Sequence, residues 1–453
     1  MKKIFINKIG RREFLKTSLS GLALTTLPGI SFAQSNPDVV VIGAGAAGLS
    51  ASAELMRRGI SFVCIEGMNR IGGRCYTDMS TFGVPADHGA HWLHGHKQNE
   101  IAIFGKKHKD KFKIYKEPDR SVVYDGGKKV NENKLWKIYK KIEKITESSS
   151  DKPFMDLIPE KIKKNDWFDT AHKASMARDF GEFSTYDDNN NWNDPGWDSG
   201  NALCREGYGT LLAYYRKDVP VKLNTIVSEI KWGGQGVQVV TNKGTINAKA
   251  CIVTVSAGVL KAEKIKFTPA LPPRKYEALE SVSMTVSNRV LMQLKKKFYG
   301  KFKSDTNFYI KCNSNGAKSP ETIAYGLLKM SGTNVSLFGI SGQFSKDLEN
   351  EGSEAMIDFV LNKLKSTYGS KFYEKYFIKA IATGWANNPF TLGAYSGGVP
   401  GKSKKRYDIK FPVGDRIFFA GEATAGAFST VHGANRSGIR VATDVYISPA
   451  LES

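Results

Sequence analysis

Three closely spaced glycines follow the first strongly apolar stretch of this 453-residue chain. Gly43, Gly45 and Gly48 stand at the spacing GxGxxG, with Ala44 and Ala47 between them. A glycine at the first position suits a tight turn, the second lets the backbone approach a pyrophosphate, and the third lets a helix pack closely on a strand. The pattern predicts the phosphate-binding turn of a dinucleotide site, with a helix N-terminus facing the phosphates.

A carboxylate stands where the ribose of such a dinucleotide would be bound. Glu66 follows Gly45 by 21 residues and ends the next apolar run. A carboxylate at this position accepts hydrogen bonds from a ribose 2′-hydroxyl and disfavours a 2′-phosphate. We therefore include Glu66 in the predicted cofactor site.

Four of the seven histidines, His88, His91, His94 and His96, fall within nine residues. A zinc site built on such a cluster would need a cysteine partner or an HxxxH pair on one helix. Neither accompanies these histidines, so no metal ion is expected. The five cysteines are widely spaced and lack a CxxC pair, so no disulfide framework is expected either.

The elements that would position these residues follow the order strand, helix, strand. Residues 38–42 are typical of a strand buried on both faces, residues 49–58 of a helix closed by Gly59, and residues 60–65 of a second strand. Strand patterns return at 221–232, 237–241, 251–255 and 417–420, and a terminal helix is predicted over 433–446. The alternation predicts an α/β (α+β) fold, in which a Rossmann-like dinucleotide domain is interrupted by a domain of mixed sheet and helices.

Neither domain is expected to be continuous in sequence. The dinucleotide domain is predicted from residues 37–96, 201–268 and 378–453, and the substrate-binding domain, with a helical insert, from 97–200 and 269–377. In the insert, Leu135, Ile138, Tyr139, Ile142 and Ile145 share one helix face. Lysines surround that face, which indicates a solvated surface rather than a nucleic-acid site.

The first 33 residues have a composition of their own. Lysines and the pair Arg11 and Arg12 precede a weakly apolar run, which ends at Ala33 in a small-x-small pattern. This segment resembles a twin-arginine signal peptide, which implies export to the periplasm or beyond. Its removal takes away six basic residues and one acidic residue, so the net charge falls from +22 to +17. No uncharged apolar run long enough to cross a membrane follows residue 40, so stable membrane insertion is not expected.

Further motifs follow in order along the chain and contain more candidate cofactor residues. These residues are Gly73 and Arg74 in RIGGR, Gly89, Ala90, His91 and Trp92 in GAHWLHG, Val227, Gly421 and Glu422 in FAGEAT, and Thr430 and Val431 in TVHGA. Together the motifs resemble the flavin amine oxidase family, which includes monoamine, polyamine and L-amino-acid oxidases. The resemblance implies FAD as the cofactor, with Glu422 at the ribityl chain and the helix after Thr430 pointing at the flavin.

The same resemblance supplies candidates for the reacting centre. The segment WANNPFTLGAYS, residues 385–396, is similar to the family's WxxxPxxxGxYS and places Trp385 and Tyr395 at the substrate slot. Thr430 replaces the tyrosine of the facing wall, so the aromatic cage is expected to be half open. Ala394 stands where monoamine oxidases have the cysteine that bonds to FAD, which implies non-covalent FAD. His94 is expected either to contact a substrate nitrogen or only to brace its loop.

One position departs from the family pattern. Most members place a lysine beside the flavin, after the segment LPxxKxxAI, where this chain has Arg289. Arginine keeps the positive charge but does not lose a proton. We expect slow reaction with O2 and transfer of electrons to another periplasmic acceptor, such as a cytochrome, unless the alignment of this strand is shifted.

The expected reaction is hydride transfer from the α-carbon of a primary or secondary amine to flavin N5, followed by hydrolysis of the imine. Four aspartates in the segment 187–198 would favour polyamines by attracting cations, or would simply be solvated; they are Asp187, Asp188, Asp194 and Asp198. Two alternatives stay open: an L-amino-acid oxidase with Arg289 or Arg205 as the carboxylate clamp, and a flavin-fold binding protein without activity. The oligomeric state is not predicted.

Overall fold

The computed structural model describes residues 36–146, 150–175, 183–184, 199–312 and 323–451. The predicted signal peptide and the aspartates from Asp187 to Asp198 lie outside these residues. No helix among the residues described is long and apolar enough to cross a membrane.

A five-stranded parallel sheet forms the centre of the cofactor side. Its strands lie in the order Ile417–Phe419, Ala250–Val253, Val39–Ile42, Phe62–Ile65 and Val221–Lys222. Successive residues of the central strand face opposite sides: Val39 and Val41 pack against one hydrophobic cluster, Val40 and Ile42 against another. Burial on both faces explains why this strand is a continuous apolar run.

Different layers cover the two faces of this sheet. On one face lie the helices Ala46–Arg57 and Val431–Tyr446, which contribute Leu49, Leu55 and Val441 to the core. On the other face lies a four-stranded sheet, ordered Gly244–Ala248, Val237–Thr241, Val227–Lys231 and Lys266–Thr268. The predicted Rossmann-like fold is thereby confirmed.

A seven-stranded mixed sheet forms the second part of the molecule. Its strands lie in the order Phe377–Ala382, Ser287–Leu294, Val335–Ser341, Tyr325–Leu328, Thr306–Ile310, Ser121–Asp125 and Lys128–Val130. One face packs on the helices Gly342–Glu351, Ser353–Tyr368 and Phe372–Tyr376 through residues such as Val290 and Phe338. The opposite face carries Arg289 and Tyr325, which line a large cavity.

Three short antiparallel strand pairs and further α-helices belong to the described fold. The pairs are Thr77–Asp78 with Ala86–Asp87, Ile114–Lys116 with Ala202–Cys204, and Val282–Met284 with Ser396–Gly398. The helices are Glu100–Lys107, Asn133–Thr146, Phe154–Leu157, Glu160–Lys163, Phe168–Ala174, Tyr208–Tyr215, Ala257–Lys261 and Pro273–Glu280. The five cysteines are buried free thiols.

The helix Asn133–Thr146 has the two faces that its sequence predicts. Leu135, Ile138 and Ile142 are buried, whereas the five lysines on its other side are exposed.

Two element boundaries differ from the predicted domain limits. The strand Phe377–Ala382 belongs to the seven-stranded sheet although most of it was expected on the cofactor side, and Ile101 of the helix Glu100–Lys107 packs in the core of the parallel sheet. Apolar patterns reveal that an element is buried but not against which sheet it packs.

Candidate active site

A cavity of about 910 Å³ begins at the carboxyl ends of the parallel strands and extends to the seven-stranded sheet. Gly43, Glu66, Thr254 and Gly421 each follow a strand of the parallel sheet and line this cavity. The carboxyl edge is where open α/β sheets bind ligands, because the loops there separate. A space of this size accommodates a dinucleotide and a small substrate together.

The glycine turn has the shape that a dinucleotide requires. Gly43 has a φ of +103°, and a Cβ there would stand 2.6 Å from Thr254 Oγ1. A Cβ on Gly48 would stand 1.8 Å from the Gly43 carbonyl oxygen, so only glycine lets the helix pack against the turn. Gly45 lines the cavity and has nothing within 4 Å of an added Cβ, so its backbone is open to a phosphate. These residues therefore fit a dinucleotide pyrophosphate.

Glu66 is held by the turn that it follows. Its carboxylate is 6% exposed and accepts hydrogen bonds from the backbone N–H of Ala44, at 2.7 Å, and of Met68, at 2.9 Å. It lines the cavity, as do Ala47 and Val227, whereas Ala44 and Gly48 do not. These last two predicted residues shape the turn rather than face the cofactor space.

An ion pair joins two of the predicted motifs. Arg74 donates to Glu422 across 2.9 Å and also to the carbonyl of Ala394. The other oxygen of Glu422 accepts from the Ser396 hydroxyl and the Ser429 N–H. Burial alone would raise the pKa of Glu422. Arg74 and Ser396 lower the pKa by more than burial raises it, so the net shift is downward. Glu422 is therefore a charged carboxylate beside the cavity.

The segment GAHWLHG follows the cavity wall. Gly89 is required because a Cβ would stand 1.9 Å from the Arg74 carbonyl oxygen. Gly89, Ala90, His91 and Trp92 all line the cavity, and so does Gly73. The His91 ring also makes a 2.7 Å contact through Nδ1 with the buried carboxylate of Asp87.

The four clustered histidines have separate partners. His91 contacts Asp87 and His94 contacts Asn201, while His88 lies 3.6 Å from Asp78 and His96 accepts from Lys106. Among the residues described, no group of three or more histidines, cysteines or acids is placed to hold a metal ion.

Trp385, Tyr395, Val431 and Thr430 line the same cavity. Thr430, expected as the non-aromatic facing wall of the cage, has a second role besides lining the cavity. Its hydroxyl caps the helix Val431–Tyr446 by accepting from the Gly433 N–H at 3.0 Å, and it donates to the Ala427 carbonyl at 2.7 Å. A threonine hydroxyl is a common helix cap.

Arg289 lies in the strand Ser287–Leu294 and lines the cavity beside the segment GAHWLHG. Its guanidinium donates to the carbonyl of Gly89 and to the hydroxyl of Tyr325, and it lies 5.4 Å from the centre of the Trp92 ring. Three contacts hold this side chain in one orientation. The other candidate carboxylate clamp, Arg205, is exposed and does not line the cavity.

His94 begins a chain of hydrogen bonds. Its Nδ1 lies 2.8 Å from Asn201 Oδ1, and the Asn201 amide donates to Glu117, which also accepts from the indole N–H of Trp92. Because the Asn201 nitrogen faces the carboxylate, its oxygen faces His94, so His94 Nδ1 carries the proton and Nε2 is an acceptor. Burial lowers the pKa of His94 from its ordinary 6.5 to about 4, which keeps the ring neutral.

Several residues that line the cavity have roles that the sequence did not predict. Two of them are polar and occur in no motif, Glu117 and Asn201, and four are aromatic, Trp136, Tyr139, Tyr309 and Tyr325. The sequence pattern predicts the helix Asn133–Thr146 and places Tyr139 on its apolar face, but it predicts no role for Trp136. The ring centres of Trp136 and Tyr309 are 5.6 Å apart, so the helical insert and the seven-stranded sheet share one aromatic wall.

Comparison with protein families agrees with this geometry. The sequence profile of the flavin-containing amine oxidoreductase family matches residues 167–446, and that of NAD(P)-binding Rossmann-like domains matches residues 41–104. The chain belongs to the flavin-containing amine oxidoreductase family. The predicted amine-oxidising enzyme class is thereby confirmed.

Individual relatives extend over nearly the whole of this amine oxidoreductase. Polyamine oxidase 4 of Oryza sativa subsp. japonica is 30% identical, with 90% of this chain and 88% of the relative aligned. Polyamine oxidase 2 of Arabidopsis thaliana is 28% identical over the same shares. Putrescine oxidase, solved with bound putrescine, has a TM-score of 0.69 at 18% identity and covers 91% of this chain and 99% of its own.

The cofactor of this amine oxidoreductase is FAD, as the motifs predict. The glycine turn, Glu66 and Glu422 line a continuous space for it. Ala394, which also lines that space, has no nucleophilic atom, so FAD is bound there without a covalent link.

Proposed function

We propose that this enzyme oxidises a polyamine or a similar primary or secondary amine at the carbon next to nitrogen, giving an imine that hydrolyses. The observation that carries the proposal is the chain from His94 through Asn201 to Glu117 in the wall of an aromatic cavity. Bound FAD would supply the acceptor for the hydride from the α-carbon of the amine. We assign Glu66 and Glu422 to its ribose and ribityl hydroxyls.

His94 is assigned to the substrate nitrogen. Its neutral ring presents Nε2 as an acceptor for an amine N–H, and the Asn201 contact fixes the ring orientation. Trp385, Tyr395 and Thr430 form the dry part of the slot, which favours the uncharged form of the reacting amine.

Glu117 favours a substrate with a second, positively charged nitrogen. The carboxylate lines the cavity, accepts from two neutral donors, and takes part in no ion pair among the described residues. Aromatic ring faces such as those of Trp136 and Tyr309 attract cations in addition. The names of the related polyamine oxidases and of putrescine oxidase support the same substrate class.

An L-amino-acid substrate is a weaker candidate. It would need a cationic clamp for its carboxylate, and the Arg289 guanidinium already donates to the Gly89 carbonyl and the Tyr325 hydroxyl. Glu117 would also repel the carboxylate.

An anaerobic substrate panel tests the proposal. The flavin absorbance near about 450 nm is followed while polyamines, monoamines and L-amino acids are added separately. We expect bleaching by polyamines, and by the decarboxylated analogue of lysine but not by lysine itself. Bleaching by lysine alone would establish the amino-acid alternative, and a flavin that no amine bleaches would favour the binding protein without activity.

Arg289 further supports a dehydrogenase that passes electrons to an acceptor other than O2. Its guanidinium keeps its proton and is fixed by three neighbours, whereas the lysine of most family members has a compact ammonium group. We predict that Arg289→Lys raises the rate of flavin reoxidation by O2 by about tenfold or more, measured by stopped flow after anaerobic reduction. Wild-type reoxidation that is already as fast as in ordinary oxidases would contradict this proposal.

We also propose export by the twin-arginine route, based on Arg11, Arg12 and the pattern ending at Ala33. Replacing both arginines by lysine should retain the flavoprotein in the cytoplasm, as measured by cell fractionation. Unchanged export of that variant would exclude the route.

A further inference from the structure

Arg406 is a buried arginine that belongs to none of the recognised motifs. It lies in the 3₁₀ helix Ser403–Lys410 and is 2% exposed, whereas its neighbours Lys405 and Tyr407 face solvent. Burial of a guanidinium is unfavourable unless its charge and its donors are compensated. The inward position therefore suggests a specific role.

The first contact of Arg406 leads to the cofactor site. Its guanidinium donates to Ser396 Oγ at 2.7 Å, and Ser396 Oγ donates to Glu422 Oε2 at 2.6 Å. A hydroxyl has a single proton. Because the guanidinium occupies a lone pair of the serine oxygen, that proton is directed to the carboxylate, and the two hydrogen bonds strengthen each other.

The second contact leads to the same carboxylate by another route. The guanidinium lies over the buried Phe428 ring, 4.1 Å from its centre. The next residue, Ser429, donates its N–H to Glu422 Oε2 at 3.1 Å and its hydroxyl to the Ser396 carbonyl at 2.6 Å. Both contacts of Arg406 thus fix groups that hold one oxygen of Glu422.

We propose that Arg406 is a positioning residue for FAD, which acts through Ser396 and the Phe428 loop to fix the orientation and charge of Glu422. Arg74 donates directly to Oε1 of the same carboxylate, whereas Arg406 acts on Oε2 through Ser396. The charge of Arg406 also contributes to the lowered pKa of Glu422. The inference rests on the assignment of Glu422 to FAD in the proposed function.

The test is the rate of FAD release from the holoenzyme, followed by the fluorescence of the freed cofactor. We expect Arg406→Gln and Ser396→Ala each to accelerate release by about tenfold, the value of one hydrogen bond to a charged group. The double variant should release FAD no faster than the worse single variant, because both act on one chain of contacts. Lys405→Gln, an exposed change in the same segment, is the matched control.

A merely structural role makes a different prediction. It lowers the unfolding midpoint of Arg406→Gln but leaves FAD release from the folded fraction at the wild-type rate, a result that would overturn the inference. A positioning role also raises the pKa of Glu422 in this variant, so acidification should accelerate FAD release at a higher pH than in the wild type.

Two further variants keep the outcomes separate. If Arg406→Gln does not fold, Ser396→Ala carries the test, because it leaves the arginine in place and removes only the connecting hydroxyl. Glu422→Gln tests the assignment on which the inference rests. If Glu422→Gln releases FAD rapidly while Ser396→Ala and Arg406→Gln behave as the wild type, the role of Arg406 is wrong and that of Glu422 stands. If Glu422→Gln also behaves as the wild type, the assignment of Glu422 itself is wrong.

Discussion

At the scale of single residues, the amide of Asn201 decides the state of His94. Its oxygen accepts the proton of His94 Nδ1, and its nitrogen donates to Glu117. The neutral Asn201 amide therefore separates the His94 imidazole from the negative charge of Glu117. Burial can then lower the pKa of His94 to about 4 without opposition from an adjacent anion.

This arrangement predicts the effect of Asn201→Asp. A carboxylate in contact with the imidazole stabilises the charged ring, so the pKa of His94 should rise by about 1 to 3 units. His94 then holds two protons in mildly acidic solution and no longer accepts an amine N–H. Between neutral pH and about pH 5.5, kcat/KM of this variant should fall roughly tenfold more than kcat/KM of the wild type does. A pH profile with one amine measures both decreases.

The control for this prediction is the double variant His94→Gln with Asn201→Asp. It has no imidazole to titrate, so the additional acid-side loss should disappear. An Asn201→Asp profile that follows the wild type would show that His94 does not contact the reacting amine.

At the scale of elements, the seven-stranded sheet supplies the aromatic wall through its register. Arg289 pairs with Gly339 on the neighbouring strand, and Gly339 pairs with Tyr325 on the next one. A Cβ on Gly339 would stand 2.1 Å from the Tyr325 ring. The missing side chain lets the tyrosine lie across the strand and accept from Arg289.

Gly339→Ala should therefore displace the Tyr325 ring and break its contact with Arg289. We expect a several-fold, about three- to tenfold, increase in KM for the amine and a loss of about 1–3 kcal/mol in the free energy of unfolding. Steady-state kinetics and urea unfolding measure the two effects. Gly300→Ala is the matched control, since nothing lies within 4 Å of a Cβ at that position; equal effects of both substitutions would refute the role of the bare strand position.

At the scale of the whole molecule, partly buried histidines connect stability to pH. Burial is the main cause of the lowered pKa of His94, and it also lowers the pKa of His88. Below about pH 6.5 the unfolded chain binds more protons at these positions than the folded chain does. Stability is therefore lost as the pH falls toward about 4, the folded value for His94.

We predict that the holoenzyme, in excess FAD, loses up to about 3 kcal/mol of unfolding free energy between about pH 7 and pH 4 through His94. Urea unfolding at several pH values measures this slope. His94→Asn should be less sensitive to pH in this window. A His94→Asn slope equal to that of the wild type would contradict the assignment.

Below about pH 4 a second loss of stability should begin, caused by Asp78. Burial alone would raise the pKa of Asp78, but hydrogen bonds from Thr81 and Ser80 outweigh it and lower the pKa to about 2.

The sequence alone determined the features that depend on neighbouring residues. Short sequence patterns predict the glycine turn at Gly43, the carboxylate of Glu66 and the buried strands, because turn geometry and strand burial are local properties. The flavin motifs, which include Arg74 and Glu422, identified the family and its cofactor in the same way, and the comparisons confirmed both.

Only the tertiary structure decided which distant side chains form hydrogen bonds with each other. Asn201 stands 107 residues from His94 and Ser396 stands 26 from Glu422, and no periodic pattern links such pairs. The structure also makes the Thr430 hydroxyl a helix cap, a role that no motif predicts. Each hydroxyl or amide has few donors and acceptors, so its role depends on which neighbour the fold brings within about 3 Å.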